Sequence, residues 1–405
     1  MTTLGVGLVG AGRFGAFVAE ATADLPGIEV RAVADPWMDR ANALSTAHGG
    51  RATPDWCDLL GASDIDIIVI ATPPASHATI ATAALEAGHH VFCEKPLATD
   101  ETQAQALVEL VERSGRVLVV DHVLRYNPIL RALAALQPEL LGPVQSFSFD
   151  NDASDEDLDP SHWFWDPTAS GGIFVEHGVH FFDAAAMLIG RPATTVQASA
   201  ARRGDAGPVD LVSATVMHGA RVLATHTHSF THAHRCERQL MRLDHGAAEV
   251  RVEGWIPIDA AIDAWTNEEG ARFVEHLPSR VAEVMHVDGY RLDARARITA
   301  RVHRDASHTS HARGRGLTLD VPHHVRVQLT LGGPPAKAKV YAESVRAAMA
   351  DLVSAVTTGS TPFSSVREGA AAVAVAAAAT RAAQDGRSIA ITDHLSPTSN
   401  RMRTA

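Results

Sequence analysis

The chain has 405 residues, 46% of them hydrophobic and 20% charged, with a formal net charge of −12. That length exceeds what a single hydrophobic core usually serves, so two domains are expected, and the composition excludes a disordered or fibrous protein. The acidic balance excludes nonspecific attraction of the whole molecule to nucleic acid or anionic membrane, and the three cysteines, Cys57, Cys93 and Cys236, are too scattered for a disulfide framework or a CxxC metal or redox site.

The opening residues Met-Thr-Thr-Leu-Gly lack the order of a secretory signal, and the apolar runs at 65–72 and 370–379 fall short of a membrane span. The expectation is a cytoplasmic protein with no membrane partner. From residue 4 to residue 120, short β-branched runs alternate with alanine-rich stretches, the pattern of a parallel sheet with crossover helices. Strands are predicted at 4–9, 29–34, 65–71, 90–93 and 117–120, with helices at 13–24, 37–47, 76–87 and 100–114 between them.

After Asp121 the pattern changes. A helix at 128–136 leads to a strand at 144–149 and an acidic loop at 150–159. Segments at 195–201, 209–218, 221–229, 237–243 and 248–252 then follow one another without long helices, which predicts a mostly antiparallel sheet. Helices at 339–357 and 366–384, a stop at Gly386 and a short strand at 388–391 close the chain. The expected organisation is an N-terminal domain, 1–123, and a second α/β domain, 124–405, with a large open sheet, the helices at 339–384 packing back toward the first domain.

Gly10-Ala11-Gly12-Arg13-Phe14-Gly15 follows an apolar strand and opens a helix, the place a phosphate-binding turn must occupy. Gly10 allows the tight turn, Gly12 the approach of a pyrophosphate and Gly15 close packing of helix on strand, while the helix N-terminus presents free N–H groups to the phosphates. Asp35 ends the second strand, where a carboxylate accepts hydrogen bonds from the adenosine ribose and repels a 2′-phosphate. The pattern indicates a Rossmann domain for NAD rather than NADP, with Arg40 one helical turn later as the nearby cation. Thr72-Pro73-Pro74 ends another strand at the same edge of the sheet and is expected to line the nicotinamide side; His77, which follows, reads equally as a surface or capping residue.

Glu94-Lys95-Pro96 follows the strand at 90–93, which places Lys95 at that edge, where an ammonium can stabilise an alkoxide during hydride transfer. A second cluster runs from Gly171-Gly172 through Glu176, His177 and His180 to Asp183. On a helix, Glu176, His180 and Asp183 share one face amid Phe174, Val179, Phe181 and Phe182, a setting that tunes a histidine. Poised near neutrality, His180 could remove a carbinol proton. The same spacing also fits a structural histidine bonded to a carboxylate in the core, and the residues alone leave both readings open. Two further groups are ambiguous. His226-x-His228 with His232-x-His234 and Cys236 offers zinc-ligand chemistry, and the Arg/His-rich stretch at 291–315 is either a solvated arm or a site for an anionic substrate group.

The order of Gly10-x-Gly12-x-x-Gly15, Asp35, Thr72-Pro73 with His77, Glu94-Lys95-Pro96, and Gly171-Gly172 with Glu176-x-x-x-His180-x-x-Asp183 resembles the glucose-fructose oxidoreductase, inositol dehydrogenase and rhizopine catabolism (Gfo/Idh/MocA) family. The likeness extends to Gly359, Pro362 and Gln384-Asp385-Gly386, so it covers nearly the whole chain. It implies a Rossmann domain followed by an α/β domain whose open sheet mediates homodimer or homotetramer contacts, and it calls for no metal. Carried over by position, Lys95 binds and polarises the reacting oxygen, His180 is the general acid/base, and residue 176 holds the substrate and orients the histidine; Glu176 departs from the family's usual Asp there. Arg125 matches a family arginine near cofactor and substrate. The cofactor-binding set is then Gly10, Gly12, Arg13, Phe14, Gly15, Asp35, Thr72, Pro73, His77, Glu94, Lys95 and Arg125, and the substrate-binding set is Lys95, Arg125, Trp163, Trp165, Glu176, His177 and His180. Trp163 and Trp165 lie in a loop that either covers the cleft or only packs.

The activity so implied is an NAD(H)-dependent oxidoreductase that moves a hydride to or from a secondary hydroxyl or keto carbon of a sugar, sugar derivative or cyclitol. Two alternatives stand beside it: a redox-neutral enzyme that cleaves or eliminates a glycoside through transient oxidation, and a nonenzymatic NAD- and sugar-binding regulator.

Overall fold

The run Ile67–Ile70 is apolar on both faces, as a strand buried between helix layers requires, and it lies within a parallel sheet of six strands. Its strands are β1 (Leu4–Val9), β2 (Ile28–Ala34), β3 (Arg51–Thr53), β4 (Ile67–Ile70), β5 (His90–Cys93) and β6 (Leu118–Val120), in the order β3-β2-β1-β4-β5-β6. The order reverses at β1, so the crevice at the strands' carboxyl ends opens between β1 and β4. Helices Arg13–Thr22, Met38–His48, His77–Glu86 and Glu101–Ser114 cross between the strands. This is a computed structural model and it describes residues 3–155, 158–159, 161–304, 311–314 and 316–391.

The second sheet has ten strands: β7 (Ser146–Asp152), β8 (Ala193–Arg202), β9 (Val209–His218), β10 (Val222–Ser229), β11 (Arg238–Asp244), β12 (Ala248–Glu253), β13 (Asp259–Thr266), β14 (Arg297–Arg304), β17 (His323–Thr330) and β18 (Ile389–Ala390). A separate hairpin joins β15 (His311–Gly314) to β16 (Leu317–Asp320). Every neighbouring pair in the large sheet is antiparallel except β7 with β10. Alternation is strict along β13, where Ala260, Ile262 and Ala264 are buried and Ala261, Asp263 and Trp265 are exposed. The helix Val179–Ile189 lies on the buried face, and Phe181 stacks on Phe149 of β7 with ring centroids 3.6 Å apart.

The chain's end ties the two sheets together. The helix Lys337–Thr358 packs on Arg13–Thr22, and Val366–Asp385 packs on both Glu101–Ser114 and β8. Ser364 makes a two-way contact with the edge strand β6: its Oγ donates to the Val120 carbonyl at 2.7 Å, and its carbonyl accepts from the Val120 N–H at 3.0 Å. Asp24 adds a charged tie, pairing with Arg291 and, at 3.4 Å, with Arg346.

Some expectations are corrected here. The segment Pro167–Ile189 is apolar and long enough to pass for a membrane span, but 72% of it is buried inside the fold, so it is a core element. The basic stretch at 291–315 is not a free arm where it is described. Arg297–Arg304 is an edge strand, Arg291 bonds Glu343 at 2.8 Å, and Arg304 pairs with Glu268 and Glu275. Residues 305–310 and Arg315 of that stretch lie outside the described residues, as do Glu156 and Asp157 of the acidic loop.

Candidate active site

The glycine turn ends β1 and starts the first helix. Gly10 has φ of +96°, and a Cβ there would stand 2.5 Å from the Ala71 carbonyl oxygen; a Cβ on Gly15 would stand 1.9 Å from the Gly10 oxygen. Those two glycines let strand and helix meet. Gly12 differs, since a Cβ there would project into open space, and as the helix N-cap it supplies no side chain to the free N–H groups. That is the form of a phosphate cradle. Asp35, at the end of β2, is buried and accepts from the Ala11 N–H at 2.8 Å and the Trp37 N–H at 2.8 Å, which fixes its carboxylate beside the turn. These residues fit a dinucleotide with a free ribose.

Past the turn runs a cleft of about 920 Å³, lined by Gly10, Gly12, Arg13, Phe14 and Asp35 at one end and by Thr72, Pro73, Glu94, Lys95, Glu176, His177 and His180 farther in. Lys95, just after β5 of the first sheet, and His180, on the helix Val179–Ile189 that covers the second, therefore face one space. The Lys95 Nζ donates to Glu176 Oε1 at 2.7 Å and to the Glu176 carbonyl at 2.9 Å. Burial disfavours the charge on Lys95, but the carboxylates of Glu176 and Glu94 outweigh it and raise its pKa above the ordinary value.

Local backbone explains why Glu176 and His177 both reach the cleft. Gly171, at φ +80°, ends the Pro167–Ser170 turn, and a Cβ there would lie 2.6 Å from a Val175 methyl. The next segment, Phe174–Gly178, is a π turn, one residue wider per turn than an α-helix. The regular helical face expected from 176, 180 and 183 is thereby broken. Asp183 is not with His180 but holds Arg125, whose Nε donates to both carboxylate oxygens at 2.9 and 2.8 Å.

His180 is 7% exposed, and its Nδ1 is buried without a partner. Burial, reinforced by the charge of Lys95, pushes its pKa well below the ordinary value, and the same causes bring His177 down to about 3. The expectation of a histidine poised near neutrality is thus corrected: the imidazole is neutral and in its proton-accepting form. Glu176 does not orient it either, because the longer glutamate side chain carries its carboxylate onto Lys95.

Several other expected residues fall elsewhere. Arg125 is absent from the cleft lining; it is buried, bound to Asp183 and to the Phe363 carbonyl at 3.0 Å. His77 is a brace and no surface residue, 1% exposed, with its ring nitrogens 2.7 Å from the Pro96 and Thr72 carbonyl oxygens, so it holds the two strand-end loops together from behind the cleft. Trp163 lines the cleft, whereas Trp165 turns inward against Phe164 and Phe230, and Phe164 takes its place in the lining. Gly15 acts in packing alone. His226 and His228 lie fully buried on the inner face of β10 against Phe147, Phe149 and Phe182, while His234 and Cys236 are exposed, and no group of metal-ligand residues is assembled among the described residues.

The sequence reading missed Asn151, Gln239, Trp255, Lys337 and Tyr341, all of which line the cleft from the second sheet and the C-terminal helix. Their one sequence signal is scarcity, with 6 Trp and 3 Tyr in the whole chain. It also missed Asp121, which is fully buried with no hydrogen-bond partner for either carboxylate oxygen.

Comparison with known proteins identifies the family and the fold. Residues 4–122 match the model of an oxidoreductase family with an NAD-binding Rossmann fold, and residues 129–249 match the GFO/IDH/MocA C-terminal domain. The chain is 33% identical over 218 residues to an inositol 2-dehydrogenase of Rhizobium meliloti, covering 52% of this chain and 64% of that protein. It is 32% identical over 207 residues to a levoglucosan dehydrogenase of Pseudarthrobacter phenanthrenivorans, covering 47% and 52% respectively. The chain therefore spans less than two thirds of the curated relatives it matches. Among solved structures, a levoglucosan dehydrogenase in complex with NADH and L-sorbose superposes with a TM-score of 0.74 at 21% identity over 97% of this chain and 100% of that one. An oxidoreductase domain protein from Kribbella flavida gives 0.73 at 19%, over 97% and 100%. These two likenesses show the fold.

Proposed function

The chain belongs to the Gfo/Idh/MocA family of NAD-binding oxidoreductases, and from that premise we propose that it transfers a hydride between NAD(H) and a secondary hydroxyl or keto carbon of a sugar, sugar derivative or cyclitol. One observation carries the reading: the Lys95 ammonium and the neutral His180 imidazole, 85 positions apart in sequence, face one cleft that begins at the glycine turn.

NAD bound along that turn supplies the hydride acceptor or donor. Gly12 and the first turn of the Arg13–Thr22 helix hold the phosphates, Asp35 the adenosine ribose, and Thr72, Pro73 and Glu94 border the reacting end. Lys95, kept charged by Glu176, binds the substrate oxygen and stabilises the negative charge that grows on it as the proton leaves. His180 takes that proton in the oxidising direction and returns it in the other. Burial, reinforced by the charge of Lys95, lowers its basicity, and its Nδ1 has no partner to stabilise the protonated form. Asn151 and Gln239 offer hydrogen bonds to hydroxyl groups, and Trp163, Phe164 and Trp255 offer flat apolar faces to ring C–H groups, which together suit a polyol.

The names of the relatives, inositol 2-dehydrogenase and levoglucosan dehydrogenase, support the same substrate class. A homodimer or homotetramer in the cytoplasm completes the reading, with the outer face of the second sheet, where Leu223 and Trp265 are each 47% exposed, as the contact. The test is a panel of sugars and cyclitols incubated with enzyme and NAD: accumulation of NADH with at least one member supports the function. Turnover without any NADH would instead favour the redox-neutral reading, and tight binding of NAD and sugar with no turnover the regulator.

A further inference from the structure

Behind the Lys95–Glu176 pair lies a second charged group that the reaction above does not use. Glu94 follows β5 and Asp121 follows β6, so neighbouring parallel strands deliver two carboxyl groups to the same edge of the sheet. Glu94 is 7% exposed and Asp121 0%. They directly follow the paired residues Cys93 and Val120, and neither oxygen of Asp121 has a hydrogen-bond partner, so an ionised Asp121 beside an ionised Glu94 would be an uncompensated buried charge. Two carboxyls sharing a dry site hold at least one proton between them.

We propose that Glu94 and Asp121 form a proton-sharing acid pair whose occupancy follows the charge on the nicotinamide ring, so that the protein takes up a proton when it holds the reduced cofactor in place of the oxidised one. The inference rests on the NAD reading above. Glu94 lines the cleft beside Thr72, Pro73 and Lys95, the end assigned to the ring, while Asp121 is sealed behind it. In the oxidising direction the hydride leaves the carbinol carbon with its electron pair and cancels the ring's positive charge, and the hydroxyl proton passes to His180. The pair then gains one proton, handed on from His180, which returns to neutral, and goes from a charge of minus one to zero. The net charge of the cleft is the same before and after.

The groups facing the pair leave room for this. Lys95 is committed to Glu176 at 2.7 Å, and against the burial that disfavours its charge the neighbouring carboxylates raise it above the ordinary value. From the C-terminal helix comes Tyr341, and from behind come Cys93 and Tyr126, all three raised by burial and held neutral. His122, His177 and His180 are lowered by burial and also neutral, while His77, lowered by burial too, is held between the Pro96 and Thr72 carbonyl oxygens. Burial likewise pushes Asp121 up to about 7, and burial together with the Asp121 charge pushes Glu94 well up, which puts the pair's exchange near neutrality.

The experiment is a direct titration of the apoprotein with NAD+ and with NADH by calorimetry, from pH 6 to 8.5. A neutral pair favours NADH and an anionic pair favours NAD+. The ratio of the NAD+ to the NADH dissociation constant should therefore fall about tenfold across the range in the wild type, the size expected for opposite charges roughly 10 Å apart in a partly screened site. NADH binding should take up more protons than NAD+ binding, read from the heat in buffers of different ionisation enthalpy. In Asp121→Asn, and separately in Glu94→Gln, the slope should shrink to less than about twofold. A flat wild-type ratio, or an unchanged slope in a folded Asp121→Asn or Glu94→Gln protein, overturns the acid pair. No binding of either dinucleotide overturns the NAD reading itself, and the pair with it.

Discussion

Replacing Lys95 by methionine keeps most of the side chain's volume and deletes one ammonium, so it separates charge from packing. Two consequences follow from the geometry. The substrate oxygen loses the cation that meets its developing charge, and the loss of one such preorganised contact costs about 10²–10³ in kcat, on the order of 3–4 kcal/mol. Glu176 also loses its partner at 2.7 Å in a site where the two side chains are only 15% and 12% exposed. Leaving a buried carboxylate unpaired costs stability, about 3–5 kcal/mol at most. The assay is NADH formation with the best substrate of the panel, alongside NAD affinity by fluorescence. The expected result is a folded protein with unchanged NAD affinity and kcat down at least a hundredfold; adding Glu176→Gln restores thermal stability without restoring turnover. A kcat within about threefold of wild type would refute the polarising role, because among the described residues no other ammonium or guanidinium is bonded to Glu176.

Three further outcomes are expected. His180→Ala should lower kcat by about 10²–10⁴ while leaving NAD affinity intact, and retention of turnover would remove His180 as the proton acceptor. Arg125→Met leaves Asp183 buried at 2% exposure with no guanidinium, so the protein should lose about 3–5 kcal/mol of stability; an unchanged denaturation midpoint would show that the pair is structurally idle. His226 and His228 are held neutral by burial, their pKa values well below the unfolded value of 6.5, so the unfolded chain gains protons first as pH falls. Stability should be full above pH 6.5 and fall by about 2.7 kcal/mol per pH unit below it from these two alone. His226→Phe should move the acid midpoint down, and full wild-type stability at pH 4.5 would contradict that account.

The parts of the fold that were legible in the sequence are those where one physical demand selects few residues. The turn at Gly10, Gly12 and Gly15 could be read because backbone crowding against Ala71 and Gly10 admits nothing larger at two of the three positions. Strands β1, β5 and β9 were readable to the residue, each being bounded by turn signals. Strands β13, β14 and β17 were not. Alanine fills the inner positions of β13, and β14 and β17 set Arg and His on their outer faces, so a half-buried edge looks like a solvated basic arm. At the site, Lys95 and His180 could be named, but the π turn at Phe174–Gly178 could not, and it decides that Glu176 binds Lys95 while Asp183 binds Arg125. His77 and Trp165 misled for a simpler reason: spacing places a residue on an element, and only packing decides which side of a loop it faces.

The central claim is that Lys95 and His180 act on one oxygen. A crystal structure with NAD and the preferred polyol tests it most directly. The account predicts one substrate hydroxyl oxygen within about 3 Å of both the Lys95 Nζ and the His180 imidazole, its carbon facing the nicotinamide. A substrate seated with its reacting hydroxyl against neither side chain, or a dinucleotide lying away from the Gly10–Gly15 turn, would contradict it.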